Sequence, residues 1–147
     1  MVIKGSELIE QVASINSQYD ILKTHFLKFK MLVKEHAAIF SNQEKLVINK
    51  SPHENEFHLI FCDRWFSFKL TASLLPNQKL QGRISFSEIH NQQQIPSSLP
   101  FSFLVDEFGN AAVEKPEETQ QDINITYPRS AVYLTALCLM KAFDTPH

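Results

Sequence analysis

Glycine is scarce in this chain, with only three among 147 residues. A phosphate-binding loop of the Gly-rich type needs several glycines close together, so nucleotide chemistry of that kind is excluded. The chain also lacks a G-x-S-x-G nucleophile elbow. Because no other catalytic constellation is visible, the sequence favours a protein that is not an enzyme and that needs no cofactor.

Charge and cysteine are limited as well. The net charge is −2, which gives no sign of a nucleic-acid or membrane-surface partner. The two cysteines, Cys62 and Cys138, stand in apolar runs without metal-type spacing, and we expect both to be buried thiols. No apolar run approaches the roughly 20 residues of a transmembrane helix, and the first residues lack the apolar core of a signal peptide. We therefore expect a protein of the reducing cytoplasm.

Phenylalanine, by contrast, is abundant. The chain has 12 phenylalanines and a hydrophobic fraction of 44%. A chain of this length is close to the commonest size of a single domain and can bury a sizeable core without disulfides or metals. The composition predicts one globular domain that spans residues 1–147.

The first part of the chain predicts a long helix. Residues 6–40 contain neither proline nor glycine, and Ser6 is a suitable N-cap. A continuous helix of this length would measure about 50 Å, whereas a compact domain of this size is only about 30–40 Å across. Two alternatives follow: the helix breaks near Asn16–Asp20, or one end projects past its own domain. Apolar residues recur along it at steps of four and three, which is the spacing of a heptad seam: Leu8, Val12, Ile15, Tyr19, Leu22, Phe26, Phe29 and Val33.

The pattern changes to period two in the middle of the chain. Residues 46–114 alternate between apolar and polar side chains, which predicts an antiparallel meander of five or six strands with one buried face. Residues 128–143 then predict a C-terminal helix that is apolar nearly all round, with Thr126 as its cap. The predicted fold is therefore two-layer α+β, with both helices on the Phe-rich face of the sheet.

Two turns predict the strand register. A turn at Asp63-Arg64 would pair Leu59 with Phe68, and a loop centred on Pro76 would pair Phe68 with Ile84. Both turns place the apolar side chains on one face, which supports the alternation because a slip of one residue would invert a whole strand.

The same register predicts a row of basic side chains on the opposite face. It places His58 beside Lys69 and Lys69 beside Arg83, with Trp65 on the same face. Such a surface could bind an anionic or aromatic ligand, or an acidic segment of another protein. The alternative is an ordinary solvated face, with Trp65 covered by the polar loop 90–100.

A metal site is not predicted. His53 and His58 resemble a zinc-protease motif, but they are five residues apart, not four. Pro52 and the alternation that follows also place this segment at the start of a strand, whereas the motif needs a helix.

The heptad seam and the missing catalytic groups together favour a non-enzymatic protein-binding protein, such as an inhibitor, an immunity-type protein, a chaperone or an adaptor. We expect it to form a homodimer through the first helix. Lys23, His25 and Lys30 flank the seam and would repel in a parallel dimer, so an antiparallel or offset pair is expected. The predicted self-association residues are Leu8, Val12, Ile15, Tyr19, Leu22 and Phe26.

A second hypothesis belongs to a different class. In this hypothesis the protein is either an enzyme or a domain that binds a small anionic ligand, and it uses the exposed face of the sheet. The residues that would carry this role are His58, Trp65, Lys69 and Arg83.

Overall fold

The computed structural model of the protein describes residues 5–36, 47–48, 54–89, 101–113 and 123–144. Within these ranges a long helix comes first, seven strands follow, and a second helix comes last. The elements are α1 (Gly5–Glu35), β1 (Val47–Ile48), β2 (Glu56–Phe61), β3 (Arg64–Leu74), β4 (Leu80–Ile89), β5 (Phe101–Val105), β6 (Asn110–Val113), β7 (Ile123–Asn124) and α2 (Pro128–Asp144).

The strands form one antiparallel sheet in chain order, from β1 to β7. This confirms the α+β class and the meander. Within the described residues the sheet has seven strands where five or six were predicted, because the two-residue strand β7 lies after residue 114, in a segment that the pattern did not assign to the sheet. The central pair, β3 and β4, is the longest, with 11 and 10 residues, and it forms the base on which α1 lies.

The predicted register is wrong by two residues at both turns. Phe68 pairs with Phe57 and with Phe86, not with Leu59 and Ile84. The first turn consists of Cys62-Asp63, and both residues have positive φ, 51° and 60°. These angles are those of a type I′ turn, which matches the twist of a two-residue hairpin. Asn-Gly is the usual sequence of such a turn, so Cys62-Asp63 did not predict it. A shift of two keeps every side chain on its predicted face, so the apolar face survives the error.

That apolar face and α1 enclose a core rich in phenylalanine. Phe29 of α1 meets Phe68 edge-on at a ring distance of 5.4 Å and Phe103 at 6.2 Å. Phe26 contacts Phe57 at 5.4 Å. Each fully buried Phe stabilises the fold by roughly 1.5–3 kcal/mol. The aromatic layer therefore fixes the second half of α1 on the sheet.

Helix α1 is continuous through Asn16–Asp20, so the predicted break there is wrong. Its 31 residues span about 46 Å. Its buried side chains begin at Leu22, whereas residues 5–14 are all exposed. The other alternative is thus confirmed: the N-terminal end projects past the domain. Residues 37–40 of the predicted helix lie outside the described residues.

Helix α2 is buried along one side only. Ala131, Leu134 and Cys138 are fully buried, but Tyr133 and Met140 on the other side are 53% and 61% exposed. The prediction of a helix buried all round is therefore too broad. The helix begins where the Tyr127 carbonyl accepts the Ala131 N–H at 2.9 Å.

Thr126 is not the cap of α2, contrary to the prediction. Its N–H and its hydroxyl both donate to Asn124 Oδ1. Asn124 also donates to the Phe108 carbonyl at 2.9 Å, so it links the start of α2 to the β5–β6 turn. The polar groups between β7 and α2 are satisfied by a side chain that the sequence pattern did not single out.

Candidate functional site

Three polar contacts attach the middle of α1 to the sheet. Gln18 accepts the Leu80 N–H at 2.7 Å through Oε1 and donates to the Gln78 carbonyl at 3.3 Å through Nε2. His25 Nε2 donates to the Glu107 carbonyl at 2.7 Å. These bonds reach the β3–β4 and β5–β6 turns, so they fix the point at which the helix leaves the sheet.

The third contact is an ion pair on the other flank of the helix. Lys23 Nζ lies 3.2 Å from Glu54 Oε2, just before β2. The hydrogen bond to Glu54 raises the pKa of Lys23. Lys23 is therefore engaged within its own domain and does not face a second helix, which removes one of the charges invoked against a parallel dimer.

Residues 5–17 of α1 form what we call the projecting segment. All of them are exposed except Ile15, which is half-buried. The segment presents three large apolar side chains to solvent: Leu8 is 52% exposed, Ile9 is 71% exposed and Val12 is 58% exposed. Isolated apolar residues on a surface are ordinary, but three within five residues on one helix turn form a patch of the kind that marks an interaction surface.

An open groove, the helix groove, lies where the projecting segment meets the sheet. It has a volume of about 400 Å³ and is mostly apolar. Its walls come from α1 on one side and from β3 and β4 on the other. They are lined by Val12, Ile15, Asn16, Tyr19, Ala72 and Leu80.

The predicted self-association residues divide into two groups. Leu8 and Val12 are exposed, and Ile15 and Tyr19 are half-buried at the groove. Leu22 and Phe26 are 2% and 0% exposed and belong to the core of their own domain. Their inclusion in a self-association surface is therefore corrected: the seam available to a second copy ends at Tyr19. Since a heptad stripe is equally suited to packing on a sheet, the sequence could not separate the two groups.

The predicted basic row is not formed. His58 pairs across strands with Ser67, and Lys69 lies between Glu56 and Ser85. The same two-residue register error explains this, because it moves each basic residue to the next polar position of the neighbouring strand. Arg83 pairs with Thr71 and Leu104.

Two of the basic side chains of this face, His58 and Arg83, have local partners. His58 Nε2 lies 2.7 Å from Glu56 Oε1, and the Glu56 side chain is only 2% exposed. Arg83 donates to Ser102 Oγ at 2.9 Å. Within the described residues, this face therefore carries a buried carboxylate beside its basic side chains rather than a concentrated positive field, which weakens the case for an anion site.

Trp65 lies on this face as predicted, and it is 43% exposed. Its cross-strand neighbours are Ile60 and Ile89. The alternative interpretation predicts that the loop 90–100 covers Trp65, and this loop lies outside the described residues.

Within the described part of the chain, no group of three His, Cys, Asp or Glu side chains could hold a metal ion. His53 is not among these residues, so the absence of a site at His53 and His58 stays a prediction. Cys138 is buried as expected, but Cys62 is exposed at the β2–β3 turn, so that expectation is wrong. No helix among the described residues is long and apolar enough to cross a membrane.

Comparison with known proteins gives no assignment: no family model, no curated protein and no solved structure matches this chain. The functional argument therefore depends on the geometry alone. The sequence missed the groove wall formed by Ala72 and Leu80. The apolar residue Ile9 is recognisable in the sequence as widening the heptad stripe, whereas Ala72 and Leu80 join the site only through the fold.

Proposed function

We propose that this protein is a non-enzymatic protein-binding protein that self-associates through the projecting segment of α1. The observation that carries the proposal is the exposure of Leu8, Ile9 and Val12 on a helix that extends past its own sheet. Apolar side chains that are exposed on a helix end are hydrated at an unfavourable free energy. Covering them with a second copy would remove them from water and stabilise the pair.

The charges of the segment are compatible with a second copy. Between residues 5 and 22 the only charged side chains are Glu7, Glu10 and Asp20. At 100° per residue, Glu10 lies about 200° around the helix from Leu8, so it faces away from the seam. The seam itself is uncharged from Leu8 to Tyr19, and two copies can meet along it without burying a carboxylate.

The contact available is small. The projecting segment has 13 residues and therefore a length of about 20 Å. Interfaces at the low end of the size range are weak or transient, so we expect a concentration-dependent dimer with a Kd on the order of micromolar.

The test is sedimentation or light scattering over a concentration series, with Val12→Glu as the disrupting variant. Val12 is exposed, so this change should leave the fold intact while it places a charge in the seam. The matched control is Ser17→Glu, which adds the same charge at an exposed position of the projecting segment about 180° around the helix from Leu8.

We expect the wild type and Ser17→Glu to dimerise with similar affinity, and Val12→Glu to remain a folded monomer. A wild type that stays monomeric at millimolar concentration would refute the proposal. Equal weakening by both variants would also count against it, because a general charge effect would then explain the result.

A further inference from the structure

We propose that the edge of strand β3 at Ala72 and Leu74 binds an extended peptide segment of another protein, which joins the sheet as an added antiparallel strand. This inference goes beyond the proposed function, because the partner is different and the edge exists in a monomer as well. Its basis is the main chain of β3, which extends past the strand that pairs with it on one side.

Strand β3 has unequal pairing on its two sides. The pairing with β2 ends at Lys69, whereas the pairing with β4 continues in regular register as far as Leu74. One further contact joins the β2 side: the Leu70 N–H donates to the Asn55 carbonyl at 2.8 Å, and Asn55 Nδ2 donates to the Leu70 carbonyl at 3.1 Å. Glu54 and Asn55 form a turn. Among the described residues, the pairing on this side therefore ends at Leu70.

The alternation of an antiparallel strand identifies the unpaired groups. Leu70 directs its N–H and its carbonyl toward β2, and Ala72 and Leu74 direct theirs the same way, because successive residues bond to opposite sides. The Leu75 N–H, which donates to the Lys79 carbonyl on the β4 side, agrees with this alternation. Ala72 and Leu74 are exposed, and no group of the described residues bonds their main chain on the β2 side. Two donors and two acceptors therefore face water at the spacing of a strand.

This edge carries none of the protection that is usual for exposed strands. Natural sheets protect their edges with charged side chains, proline, bulges or a covering element. Residues 71–74 contain neither charge nor proline, and their register against β4 is regular. The side chain of Leu74 is 45% exposed. An uncharged, regular edge of this kind is a template for an extended chain.

The helix groove lies beside this edge and determines which side chains fit. Ala72 and Leu74 are on the same face of β3 as the buried Leu70, and Ala72 lines the groove with Ile15 and Tyr19. In an added strand, the side chains opposite Ala72 and Leu74 would lie at the apolar groove, and the alternate side chains would lie on the solvent face. The chemistry of the partner follows: an extended segment in which apolar and polar residues alternate, held by main-chain hydrogen bonds.

Hydrogen exchange of residues 71–74, read by mass spectrometry, tests the proposal. The probe is a capped synthetic peptide that alternates valine and threonine and has a lysine at each end. The protein is kept well below micromolar concentration, where the proposed dimer is dissociated. The amides of Ala72 and Leu74 should exchange rapidly without peptide. They should exchange about tenfold more slowly at millimolar peptide, as for a Kd of about 0.1 mM.

Two peptide analogues distinguish main-chain pairing from non-specific adhesion. In the added strand the valine N–H groups point at β3, whereas the threonine N–H groups point away from it. N-methylation of the valines should therefore abolish the protection, and N-methylation of the threonines should preserve it. Equal effects of the two analogues would overturn the inference.

A variant of the edge gives the complementary test. Ala72→Pro removes one unpaired N–H and leaves the bonds to β4 in place, so it should weaken peptide binding at least about tenfold. Ser73→Ala is the matched control, because it changes an exposed side chain on the other face and keeps the edge. Wild-type binding by Ala72→Pro would overturn the inference. The same holds if the peptide protects nothing, or if the amides of residues 71–74 are all slow without it. A monomeric wild type would refute the proposed self-association and leave the strand site standing.

Discussion

Gly82 of β4 lies directly beneath Leu22 of α1. A Cβ on Gly82 would lie 3.3 Å from Leu22 Cδ2 and 3.3 Å from Leu70 Cδ1, tighter than ordinary van der Waals contact. The helix and the strand therefore come together at the one strand position without a side chain. This contact lies next to the bonds of Gln18 to the β3–β4 turn, and it marks the place where α1 stops being part of the core and begins to project.

The first prediction concerns this contact. Gly82→Val should lower the free energy of unfolding by about 1–3 kcal/mol, because the added methyl groups overpack the space between Leu22 and Leu70. Denaturant unfolding measures the loss. Gly5→Val is the control and should change stability by less than about 0.5 kcal/mol, since its Cβ would meet nothing within 4 Å. A Gly82→Val protein as stable as the wild type would show that the helix can move away freely.

The second prediction concerns Arg64, whose guanidinium lies over the Phe143 ring at 4.2 Å and bonds Glu88 with Nε at 3.1 Å. The hydrogen bond to Glu88 raises the pKa of Arg64. Because Arg64→Met leaves a carboxylate that is only 10% exposed without its cation, it should cost about 1–3 kcal/mol.

Its control is the double variant Arg64→Met/Glu88→Leu, which removes the carboxylate as well and should recover part of the loss. Thermal unfolding of Arg64→Met, of Glu88→Leu and of the double variant gives the coupling energy between the two side chains. Additive losses would show that Arg64 and Glu88 do not act as a pair.

The third prediction concerns the β5–β6 turn. Gly109 has φ of +86°, and a Cβ there would lie 2.9 Å from Asn124 Oδ1. Gly109→Ala should therefore lower the free energy of unfolding by about 1–3 kcal/mol, from backbone strain and from displacement of Asn124. Phe108→Ala, at the preceding exposed position, keeps the backbone carbonyl that accepts from Asn124 and should cost less. Hydrogen exchange should show the loss of protection at the Thr126 amide, which donates to Asn124 Oδ1; unchanged protection there would contradict the mechanism.

The fourth prediction concerns the two thiols. Burial raises the pKa of the Cys138 thiol well above its ordinary value of 9.0, whereas Cys62 is exposed. A thiol reagent should therefore titrate one cysteine in the native protein and two in denaturant. Two rapidly reacting thiols in the native state would contradict the burial of Cys138.

The same burial sets a pH dependence. A thiol whose pKa is raised in the folded state contributes stability below its unfolded pKa, and this contribution is lost as the pH rises above that value. The stability difference between wild type and Cys138→Ala should therefore shrink from about pH 8 to about pH 10. Parallel pH curves for the two proteins would mean that the thiol does not ionise differently on unfolding.

The fifth prediction tests whether the helix groove is part of the proposed dimer contact. Ala72→Glu places a charge on the groove wall and should weaken dimerisation about tenfold, which corresponds to about 1.4 kcal/mol. Ser73→Glu is the matched control, because it adds the same charge at the next exposed position of β3, on the opposite face of the sheet. Equal affinities for the two variants would exclude the groove from the interface.

The pattern of the sequence was sufficient for the class of fold and for the inward faces. Period two in the middle of the chain placed Phe57, Phe66, Phe68 and Phe103 in the core, where each is 0% exposed. It could not give the strand pairing, because a register shift of two residues leaves every face unchanged and only the geometry of the β2–β3 and β3–β4 turns distinguishes the two registers. The row of His58, Lys69 and Arg83 failed for that reason alone.

The candidate site shows the same division. The sequence by itself determined that α1 is long and that apolar residues follow one side of it from Leu8 to Val33, since periodicity is a local property of the chain. Only the tertiary structure decided that the sheet covers this side from Leu22 onward and leaves Leu8 and Val12 in solvent. The physical reason is the extent of the sheet: the core packs against α1 only as far as Ile15, and a local sequence pattern does not record where a distant strand ends.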